Sequence, residues 1–268
     1  MLPTLRLHAT DAALVLEREG QFVTAPAAFT LDGLFGAADP VASATGAFAA
    51  GQPTGAPAAK ALRAPLQSQE VWAAGVTYLR SKTARMEESK DAGGGTFYDK
   101  VYAADRPELF FKSTPHRVAA PGTPVRIRKD STWNVPEPEL TLAINAHGRI
   151  FGFTIGNDMS SRDIEGENPL YLPQAKVYDR SAALGPALVL TYELPASTTT
   201  IAIEIRRGGA AVFSGETTVG RIKRPLPSLA EWLFREDKFP HGTYLMTGTG
   251  VVPPDSYCSP CRNGSFHE

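Results

Sequence analysis

Cysteine, long apolar runs and an excess of charge of either sign are all scarce in this sequence of 268 residues. Its two cysteines, Cys258 and Cys261, are too few to staple a chain of this size, and they fit a reducing compartment. No run of about 18 apolar residues is present to span a bilayer, and residues 1–15 lack the uninterrupted apolar core of a signal peptide. We therefore expect a soluble cytoplasmic protein.

The charge balance restricts the partners of the chain. Twenty-seven basic and 28 acidic residues give a formal net charge of −1, so no broad basic field is available for nucleic acid or an anionic membrane. A hydrophobic content of 43% is ordinary for a globular domain and disfavours intrinsic disorder. We expect a small molecule to be the partner, with no nucleic acid and no membrane.

The pattern of turns and short apolar segments favours strands over helices. The chain has 24 glycines and 22 prolines, which punctuate it with turns. A helix is predicted at Pro227–Phe234. Strands are predicted at Leu5–Leu7, Ala13–Leu16, Val71–Tyr78, Glu108–Lys112, Val125–Arg128, Glu139–Ile144, Ile150–Ile155, Ala187–Thr191, Ile201–Arg206 and Ala211–Phe213. The fold class predicted is therefore α+β, mainly β.

The composition also indicates a division of the chain. Residues 1–68 are predicted to form a small N-terminal β-rich domain that ends in an Ala/Gly/Pro-rich linker with one small helix, over residues 36–66. Residues 69–268 are predicted to form the larger domain. Its last segment, DSYCSPCRNGSFHE, has no strand periodicity, and its C-x-x-C is a half-motif without a second pair. We expect an atypical or truncated C-terminus.

Three carboxylates have the spacing of a metal site. Glu137 and Glu139 lie two residues apart in PEPEL and would project from the same face of a strand. Asp158 ends the strand that follows, and neighbouring strands lie about 4.8 Å apart, so the three groups could converge. Three oxygen donors suit Mg²⁺, with Mn²⁺ or Ca²⁺ as alternatives, whereas zinc would favour His or Cys ligands. A solvated edge strand is the alternative interpretation of the pair.

Lys176 stands in a segment with little other charge, ENPLYLPQAKVY. A lone lysine is normally a surface residue, but this composition makes burial more plausible. Close to a metal that carries an anionic substrate, a lysine ammonium would be held by charge in place of solvent.

These residues lie in segments that resemble the motifs of a known superfamily. PEPEL at 136–140, GNDMSSRD at 156–163, LPQAK at 172–176 and TGTG at 247–250 resemble the fumarylacetoacetate hydrolase superfamily, over about Val71 to Pro254. The resemblance implies a β-roll core and a Mg²⁺ site with Glu137, Glu139 and Asp158 as ligands. It implies that Lys176 and Thr249 contact the substrate, as does Arg162 in some members. It also implies a homodimer or higher homo-oligomer.

Within the superfamily the sequence is most similar to the 2-keto-3-deoxy-D-arabinonate dehydratases, above all in ENPLYLPQ-x-K. The resemblance implies Mg²⁺-dependent dehydration of 2-dehydro-3-deoxy-D-arabinonate to 2,5-dioxopentanoate, a hydro-lyase reaction of pentose catabolism. Lys176 would hold or polarise the enolate. Glu108, in PELFFK, is the candidate general base or acid, and a plain surface carboxylate is its alternative. The lack of histidine between Val71 and Pro115 modestly favours dehydration over hydrolysis.

Two other functions stay open at this level. The first is a metal-dependent hydrolase that cleaves a C–C bond in 2,4-diketo acids with an activated water. The second is a non-catalytic ligand-binding relative that kept the fold and lost turnover. Sugar length and stereochemistry depend on the shape of the pocket, which the sequence does not define.

Overall fold

Strands dominate the fold. The computed structural model describes residues 4–79, 95–254 and 265–267. Its strands are β1 (Leu5–Thr10), β2 (Leu14–Arg18), β3 (Gln21–Thr24), β4 (Gln52–Thr54), β5 (Leu62–Arg63), β6 (Glu70–Gly75), β7 (Glu108–Ser113), β8 (Val118–Ala119), β9 (Pro124–Arg126), β10 (Asn134–Val135), β11 (Pro138–Ile144), β12 (Ile150–Asp158), β13 (Ser160–Ser161), β14 (Ala182–Leu190), β15 (Thr200–Arg207), β16 (Ala210–Thr218), β17 (Thr243–Met246) and β18 (Ser265–His267).

Short helices connect these strands. They are α1 (Leu31–Gly36), α2 (Pro40–Ala50), α3 (Gly95–Ala103), α4 (Arg162–Glu167), α5 (Leu172–Lys176) and α6 (Leu226–Leu233). Single 3₁₀ turns form at Ala59–Ala61, Pro115–Arg117, Pro169–Tyr171 and Val219–Arg221. The prediction of a mainly β chain with few helices is confirmed. Among the described residues, no helix combines the length and apolar character that crossing a membrane requires.

Most strands join one mixed sheet of twelve strands. Its order is β4-β3-β2-β1-β14-β12-β11-β17-β6-β7, with β5 beside β1 and β8 beside β14. The β17–β6 and β14–β8 pairs are parallel, and the other pairs of this sheet are antiparallel. Strand β11 lies between β12 and β17, so its backbone is bonded on both edges.

Strand β11 is buried on both faces, and this explains its apolar sequence. Leu140, Leu142 and Ile144 point to one face and pack in a cluster that includes residues of α6. Ala143 points to the opposite face and joins a second cluster, which contains the side chain of Phe151. Full burial of a leucine or isoleucine contributes about 1.5–3 kcal/mol to stability. The strand that carries Glu139 is therefore anchored from both sides.

The N-terminal segment packs on the same sheet. Strand β1 pairs with β14, with Leu5 opposite Leu190. Residues 36–66 hold more structure than the predicted linker with one small helix. The α2 helix starts at the Asp39 cap and runs for eleven residues, and β4 and β5 pair with β3 and β1. Because alanine is small, α2 lies close to the sheet with Ala44 fully buried. The division at residue 68 stays a prediction.

Two predicted features concern the margins of the described chain. The last described residues, Ser265–His267, form a short antiparallel strand with β9, although the tail has no strand periodicity in its sequence. The Cys258-x-x-Cys261 half-motif lies outside the described residues.

Candidate metal and substrate site

A single hairpin brings the acidic residues together. In the β11–β12 pair, Pro138 is opposite Asn157 and Glu139 is opposite Gly156. The backbone N–H of Asp158 donates to the carbonyl of Glu137 at 3.0 Å, and the N–H of Glu137 donates to Asn157 Oδ1 at 3.1 Å. The start of one strand is thus fixed against the end of its neighbour. The three carboxylates that the sequence predicts to converge lie together at this point of the hairpin.

Glu137, Glu139 and Asp158 form a compact buried triad. One carboxylate oxygen from each residue lies within 4.8 Å of the other two. The residues are 3%, 2% and 1% exposed, which rules out a solvated edge strand. Burial, and then the charges of Asp158 and Glu137, raise the pKa of Glu139 well above its usual value. Like charges this close are stabilised by a compensating cation, or one of the carboxyl groups holds a proton.

Lys176 supplies part of that compensation. Its Nζ donates to Glu137 Oε2 at 2.6 Å and to Asp158 Oδ2 at 2.9 Å, and the residue is fully buried. It is the last residue of α5, where the Ser181 hydroxyl donates to its carbonyl at 2.9 Å. The expectation of a buried lysine at the carboxylates agrees with this geometry.

Arg162 also faces the triad. Its guanidinium pairs with Oε1 of Glu137, and the residue is 1% exposed. The Arg162 N–H donates to the Trp133 carbonyl at 2.7 Å. Its neighbour Asp163 accepts from the Thr132 N–H at 2.6 Å. The loop before β10 therefore determines where this arginine enters the site.

Lys112 is a site residue that the sequence reasoning missed. Its ammonium forms an ion pair with Asp158 Oδ1 at 2.7 Å, and its side chain is fully buried. A signal was present in PELFFKS, because alternate residues of a strand share a face and Lys112 is four residues after Glu108. Burial acts to raise the pKa of Asp158, but the Lys112 and Lys176 ammonium groups outweigh it and lower that pKa.

The TGTG segment meets the triad through its backbone. The Gly248 N–H donates to Glu139 Oε2 at 2.6 Å. Gly248 has a φ of +93°, and a Cβ there would overlap the Thr77 hydroxyl, so only glycine fits. Thr249 is buried beside it, and its hydroxyl donates to the Val251 carbonyl at 3.0 Å. The structure thus places Thr249 next to the residue that contacts Glu139.

Glu108 is the first residue of β7, the strand that carries Lys112 four residues later. Glu108 and Phe110 are alternate residues of β7 and share a face, and the Lys176 Nζ is 5.8 Å from the centre of the Phe110 ring. Glu108 is half-buried and lines a cavity of about 450 Å³ with Tyr98 and Leu172, among others. Two larger cavities, of about 790 and 830 Å³, are lined by other residues than the triad.

Gly75 makes room for the carboxylate of Glu108. The two residues are opposite each other in the β6–β7 pair. A Cβ on Gly75 would overlap Oε2 and Cδ of Glu108. The missing side chain at Gly75 therefore lets the Glu108 carboxylate lie directly on the backbone of β6.

The donor set fits a hard divalent cation. The triad offers oxygen ligands only, which Mg²⁺ prefers. Burial, and then the charges of Asp158 and Glu137, raise the pKa of Glu139, and a bound cation would offset both effects. Lys176 and Arg162 lie around the triad, where an anionic substrate would meet positive charge. The individual roles of Glu108, Arg162, Lys176 and Thr249 stay predictions.

Comparison with known proteins agrees with the motifs. Residues 71–260 match the fumarylacetoacetate (FAA) hydrolase C-terminal family. A probable 2-keto-3-deoxyxylonate dehydratase from Haloferax volcanii is 44% identical over 199 residues, which cover 72% of this chain and 66% of the relative. A 2-dehydro-3-deoxy-D-arabinonate dehydratase from Saccharolobus solfataricus is 41% identical over 192 residues, covering 70% and 64%. The matched part thus spans just under two thirds of each curated relative.

Solved structures share the fold. A 2-keto-3-deoxy-D-arabinonate dehydratase complexed with magnesium and 2,5-dioxopentanoate superposes with a TM-score of 0.75 at 29% identity, covering 96% of this chain and 91% of that one. The likeness confirms the predicted fold class, and the family match confirms the resemblance inferred from the motifs.

Proposed function

The chain belongs to the fumarylacetoacetate hydrolase family, and on that basis we propose that it dehydrates a 2-keto-3-deoxy pentonate to 2,5-dioxopentanoate. The observation that carries the proposal is the buried triad of Glu137, Glu139 and Asp158 with Lys176 bonded across two of its members. The curated relatives named as dehydratases of such acids support the substrate class.

We propose Mg²⁺ as the cofactor, held by Glu137, Glu139 and Asp158. The oxygen donors of the triad and the magnesium bound by the related dehydratase support this assignment. When bound, such an ion supplies Lewis-acid polarisation of the 2-keto group. Mn²⁺ is the natural substitute in assays, because it accepts the same ligands.

The side chains around the triad then serve the proton transfers. Lys176 donates to the oxygen at C2 and stabilises the charge that develops there, while Arg162 and Thr249 hold the substrate. Glu108 removes a proton from C3 and returns it to the C4 hydroxyl, which leaves as water. The C3–H and C4–O bonds break, and a C3=C4 double bond forms. A proton shift from C5 to C3 and tautomerisation of the C5 hydroxyl to an aldehyde give 2,5-dioxopentanoate.

The test is a product analysis with synthetic 3-deoxy-2-oxo pentonates and Mg²⁺. Dehydration retains all five carbons, whereas the rival hydrolysis of 2,4-diketo acids gives two fragments. We expect Glu139→Gln to lose Mg²⁺-dependent turnover and to stay folded, because burial already favours the neutral form of this side chain. Full activity after exhaustive chelation would overturn the metal assignment. Metal binding without turnover of any 2-keto acid would favour the non-catalytic alternative.

We also propose a homodimer or higher homo-oligomer in the cytoplasm. The family resemblance supports the assembly. The scarcity of cysteine in the sequence supports the reducing compartment.

A further inference from the structure

Lys112 is fully buried, although it belongs to β7, the strand that ends the order of the large sheet. Its Nζ donates to the carbonyl of Met159 at 2.8 Å and to the carbonyl of Lys176 at 2.6 Å. The same ammonium is 2.7 Å from Asp158 Oδ1. Three oxygen acceptors therefore surround an ammonium group, which has three N–H donors and no acceptor.

These three acceptors come from two separate parts of the site. Asp158 ends β12 and Met159 follows it, while Lys176 ends α5. Asp158 belongs to the acidic triad, and Lys176 is the lysine that reaches that triad through its side chain. Lys112, on β7, is thus a third element that connects the two.

We propose that Lys112 is a positioning residue that fixes the Asp158 carboxylate and the Lys176 ammonium relative to one another. It acts on Asp158 through the side chain and on Lys176 through the backbone carbonyl. The inference rests on the proposed function, because it assigns Asp158 to the metal and Lys176 to the substrate. Lys112 itself touches neither the metal nor the substrate in this scheme.

A lysine that only neutralised charge would affect metal affinity in the opposite direction from a lysine that positions Asp158. Glu137, Glu139 and Asp158 carry three formal negative charges, and Lys112, Lys176 and Arg162 carry three positive ones. If Lys112 only neutralised charge, its removal would leave the triad more anionic and strengthen its attraction for a cation. If Lys112 positions Asp158, its removal weakens metal binding, as loss of the groups that orient metal ligands typically does by about 10–100-fold.

The experiment compares Lys112→Met, of similar length but uncharged, with Lys112→Arg, which keeps the charge but not the compact shape. Exposed Lys60 provides the matched control, Lys60→Met. Mn²⁺ affinity is measured by calorimetry, and kcat and KM are measured at saturating metal. We expect Lys112→Met to bind Mn²⁺ about 10–100-fold more weakly and to lose kcat more than KM. Lys60→Met should behave as wild type.

Two outcomes would overturn the inference. One is tighter Mn²⁺ binding by Lys112→Met with kcat retained, which is the behaviour of a counter-charge. If Lys112→Met does not fold, Lys112→Arg decides, and wild-type Mn²⁺ affinity and kcat in that variant are the other contrary result. Failure of the proposed function is distinguishable, because it would show as wild-type protein that binds Mn²⁺ and dehydrates no 2-keto acid.

Discussion

Replacing Gly75 by alanine is expected to inactivate the protein while leaving it folded and able to bind metal. The added Cβ would overlap the end of the Glu108 side chain and force its carboxylate off β6. Loss of a general acid or base typically costs about 10²–10⁴-fold in rate. Because Glu108 is outside the triad, we expect kcat to fall by that factor and Mg²⁺ affinity to stay unchanged.

We expect Gly75→Ala to change the free energy of unfolding only slightly. Gly75 is not among the described glycines with positive φ, so alanine can adopt its backbone conformation. Fewer unfolded conformations stabilise an alanine variant by about 0.4–1 kcal/mol. Moving the flexible Glu108 side chain off its preferred rotamer costs about 0.5–1.5 kcal/mol. These opposing terms nearly cancel, so the midpoint of thermal unfolding should shift by less than about 4 °C.

The assay measures kcat, Mg²⁺ affinity and thermal unfolding in parallel. Gly46, an exposed glycine in α2 with open space around its Cβ position, gives the matched control Gly46→Ala, which should keep full activity. Glu108→Gln should match the activity loss of Gly75→Ala, and the double variant should lose little more, because both changes act on one carboxylate. A Gly75→Ala enzyme with wild-type kcat would refute the reasoning.

Three further predictions concern the pH dependence of the triad and the assembly of the chain. The Mg²⁺ affinity should rise with pH, because burial and then the charges of Asp158 and Glu137 raise the pKa of Glu139, so that a cation must displace a proton at low pH. The same raised pKa means that the metal-free protein loses stability as pH increases through the folded pKa of Glu139. Calorimetry across pH measures the Mg²⁺ affinity, and unfolding across pH measures the stability. An Mg²⁺ affinity that does not change with pH would contradict the role given to Glu139. Light scattering after size exclusion should give at least twice the chain mass of 28.7 kDa, and a monomer would exclude the proposed oligomer.

The sequence predicted the triad because its geometry is local. Glu139 and Asp158 belong to the two strands of one hairpin, so the period of two and the spacing between strands brought them together. Lys112 and Gly75 depend on contacts between distant parts of the chain. The Gly75–Glu108 contact forms only because β6 and β7 pair with each other, although they are far apart in the sequence. The sequence of either strand does not specify which residues lie opposite one another.

The composition of residues 36–66 predicted a linker with one small helix, and the structure contains more than that. The Ala/Gly/Pro-rich residues 36–66 lack the alternation of large apolar and polar residues that marks a packed helix. A packed helix and a flexible linker therefore have similar sequences here. In the structure, Ala44 and Ala47 of α2 are buried, because small side chains let a helix approach its neighbours closely.

The double-sided burial of β11 has a consequence for how long the site keeps its shape. Amide protons in a strand enclosed on both faces and both edges exchange with solvent mainly when the whole domain opens. The carboxylate of Glu139 therefore extends from a strand that opens mainly when the whole domain unfolds. An ion held at that point would be released by its own dissociation rate, with local unfolding of the strand contributing little.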